Sequence, residues 1–131
     1  MKPTTREWVE KAEGDWTIVR REWKNRKPVY DAVCFHLQQC VEKYLKAFLE
    51  ECSRYVARTH SIEVLVEKCE PELVVPDEMK KELKGLAFYA VSYRYPGESA
   101  NRQETKEATE IVKRFRRFIR EHLQISGRRL I

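Results

Sequence analysis

The sequence predicts an all-α fold, an up-and-down antiparallel bundle of four long helices and one short one. Three observations carry this. Five segments place apolar residues three and four apart, the period of a helix buried along one side. No stretch alternates apolar and polar residues over a useful length, so strand signals are absent. The chain has 26 Lys/Arg and 21 Asp/Glu against four Gly, a composition that suits long solvated helices. At 131 residues it suits a single domain, 1–131, with a core over about 5–123 and a basic tail over 124–131. Brief connections between the segments make sequence neighbours antiparallel.

The first segment, about Thr5 to Arg26, repeats Trp8, Ala12, Trp16, Val19 and Trp23. Pro28 closes it, because proline disfavours helical geometry in the residue before it. The second, about Tyr30 to Arg54, aligns Cys34, Leu37, Val41, Tyr44, Leu45, Phe48 and Cys52. At about 37 Å it is the longest element and the expected centre of the bundle. The third, about Ser61 to Cys69, has Ile62, Leu65 and Val66 inward, with Thr59 or Ser61 as its cap. The fourth, about Asp77 to Tyr93, turns Met79, Leu83, Leu86, Ala87 and Ala90 inward. Asp77 suits its cap, and Pro96-Gly97 forces the next turn. The fifth runs from about Arg102 to Leu123, with Ala108, Ile111, Val112, Phe115, Phe118, Ile119 and His122 as its inner stripe. Asn101 and Glu104 have the spacing of a capping box.

Hydrophobic residues make up 42% of the chain and charged residues 36%, a balance of neither a disordered tail nor a membrane protein. No apolar run approaches the roughly 18–20 residues that span a bilayer. Met1 to Trp8 has no apolar signal core. A soluble cytoplasmic protein with no membrane partner is therefore expected. The formal net charge of +5 is uneven. Residues 1–101 balance 17 cations with 17 anions, whereas 102–131 hold nine Lys/Arg against four Glu. Lys113, Arg116, Arg117 and Arg120 share one face of a helix, so they are candidate contacts to phosphate on RNA or a nucleotide. The plainer reading of the same stripe is a solvated outer face.

The cysteines Cys34, Cys40, Cys52 and Cys69 contain no CxxC pair and follow no zinc spacing. Cys34 and Cys52 lie on the apolar stripe and read as buried thiols. His36 and Cys40 are i, i+4 neighbours with no third or fourth ligand evident, so neither metal nor cofactor is expected. Tyr89, Tyr93, Arg94 and Tyr95 form an aromatic and basic cluster before the Pro96-Gly97 turn, suited to gripping a phosphate and stacking a base. They also suit simple packing at a helix end. Gln38, Gln39, Lys43 and Lys46 lie off the main stripe of the second segment. They are candidates for a partner surface or ordinary solvated positions.

The run from Tyr30 to Leu49, YDAVCFHLQQCVEKYLKAFL, resembles the signature helix of HEPN domains. Four further features agree in order: Trp8 followed by Lys11-Ala12-Glu13-x-Asp15, Thr59-His60-Ser61 before Leu65, the tripeptide Arg94-Tyr95-Pro96, and a final Glu/Ala-rich helix. The resemblance covers roughly residues 6–123. It implies a bundle of four to five helices, usually a homodimer. Such domains are often paired with a minimal nucleotidyltransferase, frequently as toxin and antitoxin. Toxin members of the family are metal-independent ribonucleases with an Arg-x4-6-His motif near the start of the last long helix, at the dimer cleft. Others bind nucleotides or a partner without cleaving RNA.

Here that motif is incomplete. Counting on from Arg94 reaches Ser99, Ala100 and Asn101, and from Arg102 it reaches Glu107, Ala108 and Thr109. The group that would accept and donate the proton is missing. Arg54/His60 and Arg117/His122 match the spacing elsewhere, at a rate chance would supply among 14 arginines. The expectation is a non-catalytic binding module for a nucleotide, RNA phosphate or a nucleotidyltransferase partner. The alternatives are a ribonuclease with a departed motif and a pure interaction subunit without ligand.

Overall fold

The computed structural model describes the backbone of residues 1–92 and 95–125, and their side chains except those of 88–92. Among these residues the chain is all-helical: α1 (Pro3–Trp23), α2 (Tyr30–Glu51), α3 (Ile62–Cys69), α4 (Asp77–Ser92) and α5 (Arg102–His122). Each boundary has a local cause. Pro3 sits in the first turn of α1, where a missing N–H costs nothing. Glu22 ends the same helix by accepting from Asn25 Nδ2 at 3.1 Å and from the Val29 N–H at 2.9 Å, which closes the turn into α2.

Helix α2 stops at Glu51 because Ser53 takes a left-handed φ of 56°. That lets Ser53 N–H reach Glu50 O and Arg54 N–H reach Leu49 O, the paired bonds of a Schellman end. Helix α5 ends in the same way, with Gln124 at φ 58° and Ile125 N–H on Arg120 O at 2.8 Å. Ser61 caps α3 by accepting from Val64 N–H. Asn101 and Glu104 form the complete capping box of α5. Asp77 proves to be the first residue of α4 rather than its cap, so its carboxylate acts through the helix dipole.

Side-chain pairs set the directions. Lys2 meets Glu51 while Trp23 meets Tyr30, so α1 and α2 are antiparallel. Cys34 meets Thr105 and Tyr44 meets Arg120, so α2 and α5 run the same way. Arg114 reaches Glu82 across α4 and α5. Helix α2 packs against α1, α3, α4 and α5 and is buried on several sides toward its C-terminal half, with Tyr44, Leu45, Ala47 and Leu49 all inside. In α1 the expected Ala12, Trp16 and Val19 are buried and Val9 joins them, with Trp8 and Trp23 half-buried against the core. In α5, His122 is exposed, not inward: its Nδ1 lies 2.9 Å from Phe118 O and its ring stacks on Phe118. Leu123 takes the buried place instead.

Candidate functional site

Helices α1 and α5 both lean on α2 but have no Cα atoms within 8 Å of each other. The gap between them is a groove of about 790 Å3. Its floor is apolar, with Trp16, Val19, Trp23 and Ile125. Its rims carry Arg20 and Lys24 from α1 and Lys113 and Arg117 from α5, all four exposed. Among the described residues none of the four makes an ion pair. Glu110 and Glu121 are the acidic residues along it. The groove therefore has an excess of exposed positive charge over an apolar bed, which attracts an anion and shelters an apolar group beside it.

Side chains clasp the groove where backbone does not. Trp23 Nε1–H donates to Thr109 Oγ1 at 3.0 Å. Below, Glu13 accepts from Arg116 through both Nε (2.8 Å) and Nη2 (2.6 Å), and lies 3.5 Å from Arg120 Nη1. The Tyr44 hydroxyl also donates to Glu13 and accepts from Arg120 at 3.1 Å. Burial by itself would raise the Glu13 carboxyl, but the hydrogen bonds from Arg116 and Tyr44 and the two positive charges outweigh it. Its pKa ends below the usual glutamate range. Burial, with the Glu13 bond next, pushes the Tyr44 phenol well up, so it stays protonated. Cys40 is fully buried beside this cluster, and burial raises its thiol far out of reactive range.

The four residues of the basic face thus divide. Lys113 and Arg117 are free on the rim, Arg116 is half-buried against Glu13, and Arg120 is only 4% exposed. A uniformly solvated face is not what forms, because a carboxylate on α1 draws two of its arginines inward. Lys43 and Lys46 are drawn in likewise. Lys43 Nζ holds Asp15 at 2.6 Å beside His36 Nδ1 at 2.7 Å, and buried Lys46 pairs with Glu42 at 3.3 Å under Trp8. Gln38 has its Oε1 buried without a hydrogen-bond partner among the described residues, and Gln39 is half-buried. Of this set only Lys46 is buried, while Gln38, Gln39 and Lys43 keep partial exposure.

The Arg54/His60 match and the His36/Cys40 pair do not converge. Arg54 donates to Glu70 O and Glu72, whereas His60 lies on Glu42. His36 and Cys40 diverge, one to Asp15 and one to the core. Tyr93 and Arg94 lie outside the described residues, as does the Tyr89 side chain. Tyr95 is 65% exposed, and its carbonyl accepts from Glu98 N–H in the turn that follows. Sequence reasoning missed Glu13, Arg20 and Lys24. The spacing of Arg20 and Lys24 at i, i+4, beside Trp16 and Trp23, was the available signal.

A family model described as the HEPN domain matches residues 5–123. Among solved structures, TT1696 from Thermus thermophilus superposes with a TM-score of 0.80 at 26% identity, over 92% of this chain and 99% of that one. ST0689, described as an archaeal HEPN homologue, superposes at 0.69 with 23% identity, over 94% and 99%. No curated protein matches the chain.

Proposed function

Because the chain belongs to the HEPN domain family, we propose that it is a non-catalytic binding module whose α1–α5 groove takes a phosphate-bearing ligand, RNA or a nucleotide. One observation carries the reading. Four exposed cations without ion pairs among the described residues face each other across an apolar-floored groove. Phosphate neutralises such charge with release of counterions, a sequence-independent gain. Among the described residues no histidine lines the groove to transfer a proton. The ribonuclease reading would need another residue in that role.

On this reading the protein is a homodimer beside a small nucleotidyltransferase, in a toxin–antitoxin-like pair. Exposed apolar Phe35 on α2 and Ile18 on α1 support a protein contact outside the groove. Light scattering at micromolar concentration returns a dimer on this reading and a monomer if it is wrong.

The groove itself is tested by fluorescence anisotropy with a labelled single-stranded RNA of ten uridines, alongside a melting-temperature shift with ATP. RNA or ATP binds the wild type, and Lys113→Ala or Arg117→Ala weakens it. For RNA each change lowers the salt slope by about 0.7, the value for one single-strand phosphate. Absence of binding by both ligands, or binding indifferent to both variants, overturns the proposal.

A further inference from the structure

Arg116 differs from the free cations around it in what it can offer a ligand. Its guanidinium carbon lies over the Trp16 ring, 5.5 Å from the centroid. Its Nε–Nη2 edge, the edge that clasps a phosphate with two parallel bonds, is already occupied by Glu13 at 2.8 and 2.6 Å. Yet the residue lines the groove. With that edge filled and the side chain 19% exposed, what remains to offer a ligand is part of the surface of a flat, delocalised cation. Planes of this kind stack on nucleobases.

The neighbours agree with that use. Lys113 stands one helical turn before Arg116, Arg117 directly follows it, and Arg20 stands one turn beyond Trp16 on α1. A base lying on Arg116 would have rim cations on either side for the phosphates that flank it. We infer that Arg116, held by Glu13 beside Trp16, is the specificity-determining platform of the groove, selecting phosphates that carry a nucleobase over bare anions. The ligand class is then a short single-stranded polynucleotide segment rather than a polyphosphate. Glu13 is the positioning residue, acting through Arg116. This rests on the reading of the groove as a phosphate site.

The test compares three probes of similar charge by anisotropy and competition: the ten-uridine RNA, an abasic strand of the same length, and inorganic polyphosphate. Wild-type protein binds the RNA about tenfold more tightly than the abasic strand, the effect of one stacked base. Arg116→Lys keeps the charge and removes the plane, so the RNA-to-abasic ratio falls to about one. Glu13→Gln frees the two-point edge, so polyphosphate gains affinity relative to RNA. Melting curves establish that each variant is folded, and if neither folds, the wild-type ratio alone decides. Equal affinity for RNA and abasic strand, with Lys113→Ala and Arg117→Ala still weakening both, overturns this inference and leaves the phosphate site standing. Indifference to Lys113→Ala and Arg117→Ala removes the phosphate site and the platform together.

Discussion

At the scale of single residues, the protein places two arginines and one tyrosine around one carboxylate. Removing one partner of a buried ion pair leaves the other charge uncompensated, at a cost of about 3–5 kcal/mol. Arg120 is the most buried member, but Glu13 keeps both bonds from Arg116, so Arg120→Ala is expected to lower stability by less, about 1–3 kcal/mol, read from urea unfolding. Arg114→Ala, across the exposed pair to Glu82, serves as the reference and changes stability by under about 1 kcal/mol. The sign of the pH effect follows from the lowered Glu13 pKa. Its ionised form stabilises the fold above the ordinary glutamate value of about 4.3, and this is lost as pH falls through the lower folded value. Melting temperature should therefore drop on acidification below about pH 4.3, and Glu13→Gln should flatten that part of the curve. An unchanged acid limb in Glu13→Gln would show that other carboxylates govern it. Nothing in the sequence marks Glu13 for this role, since one acidic residue among 21 has no local sign of burial.

At the scale of elements, helix ends were the most legible feature. The Asn101–Glu104 spacing predicted a capping box, and the box is present because both bonds close within one turn of chain. Asn101→Ala should cost about 1 kcal/mol and fray the start of α5, measured as faster amide exchange at residues 103–105. Slower or unchanged exchange there would contradict the cap. The helical faces were read less well. In α1, the period through Trp8 misses Val9, which the core takes because α2 crosses on that side. In α2, a single apolar stripe was expected, whereas Cys40, Glu42 and Lys46 are also buried. A central helix has neighbours on several sides, so its polar positions are satisfied by pairing with one another rather than by water. His122 fitted the inner period of α5 but lies where the helix is ending and its face turns to solvent.

For the whole molecule, the described helices pack around α2, and no described helix is long and apolar enough to cross a membrane. The groove between α1 and α5 arises from that arrangement. Two helices share α2 as a neighbour without touching each other's backbone, and the charges that face across the gap come from segments about ninety residues apart. A binding module predicts no cleavage of RNA in EDTA by nuclease-free protein, on gels run over hours. Cleavage abolished by a substitution at His36, His60 or His122 would instead make the protein a ribonuclease and overturn the non-catalytic reading.

The sequence by itself determined the helical class, the order of the elements, the capping box of α5 and the family resemblance. Those depend on periodicity and on contacts within a turn or two, which neighbouring residues specify. Only the tertiary structure decided which cations are free and which are spent. The face of α5 looked uniform in sequence, yet Glu13 on α1 draws Arg116 and Arg120 inward and leaves Lys113 and Arg117 on the rim. Charge pairing acts through space over a few ångströms. Which residues come that close is set by how the helices pack, not by the pattern along any one of them.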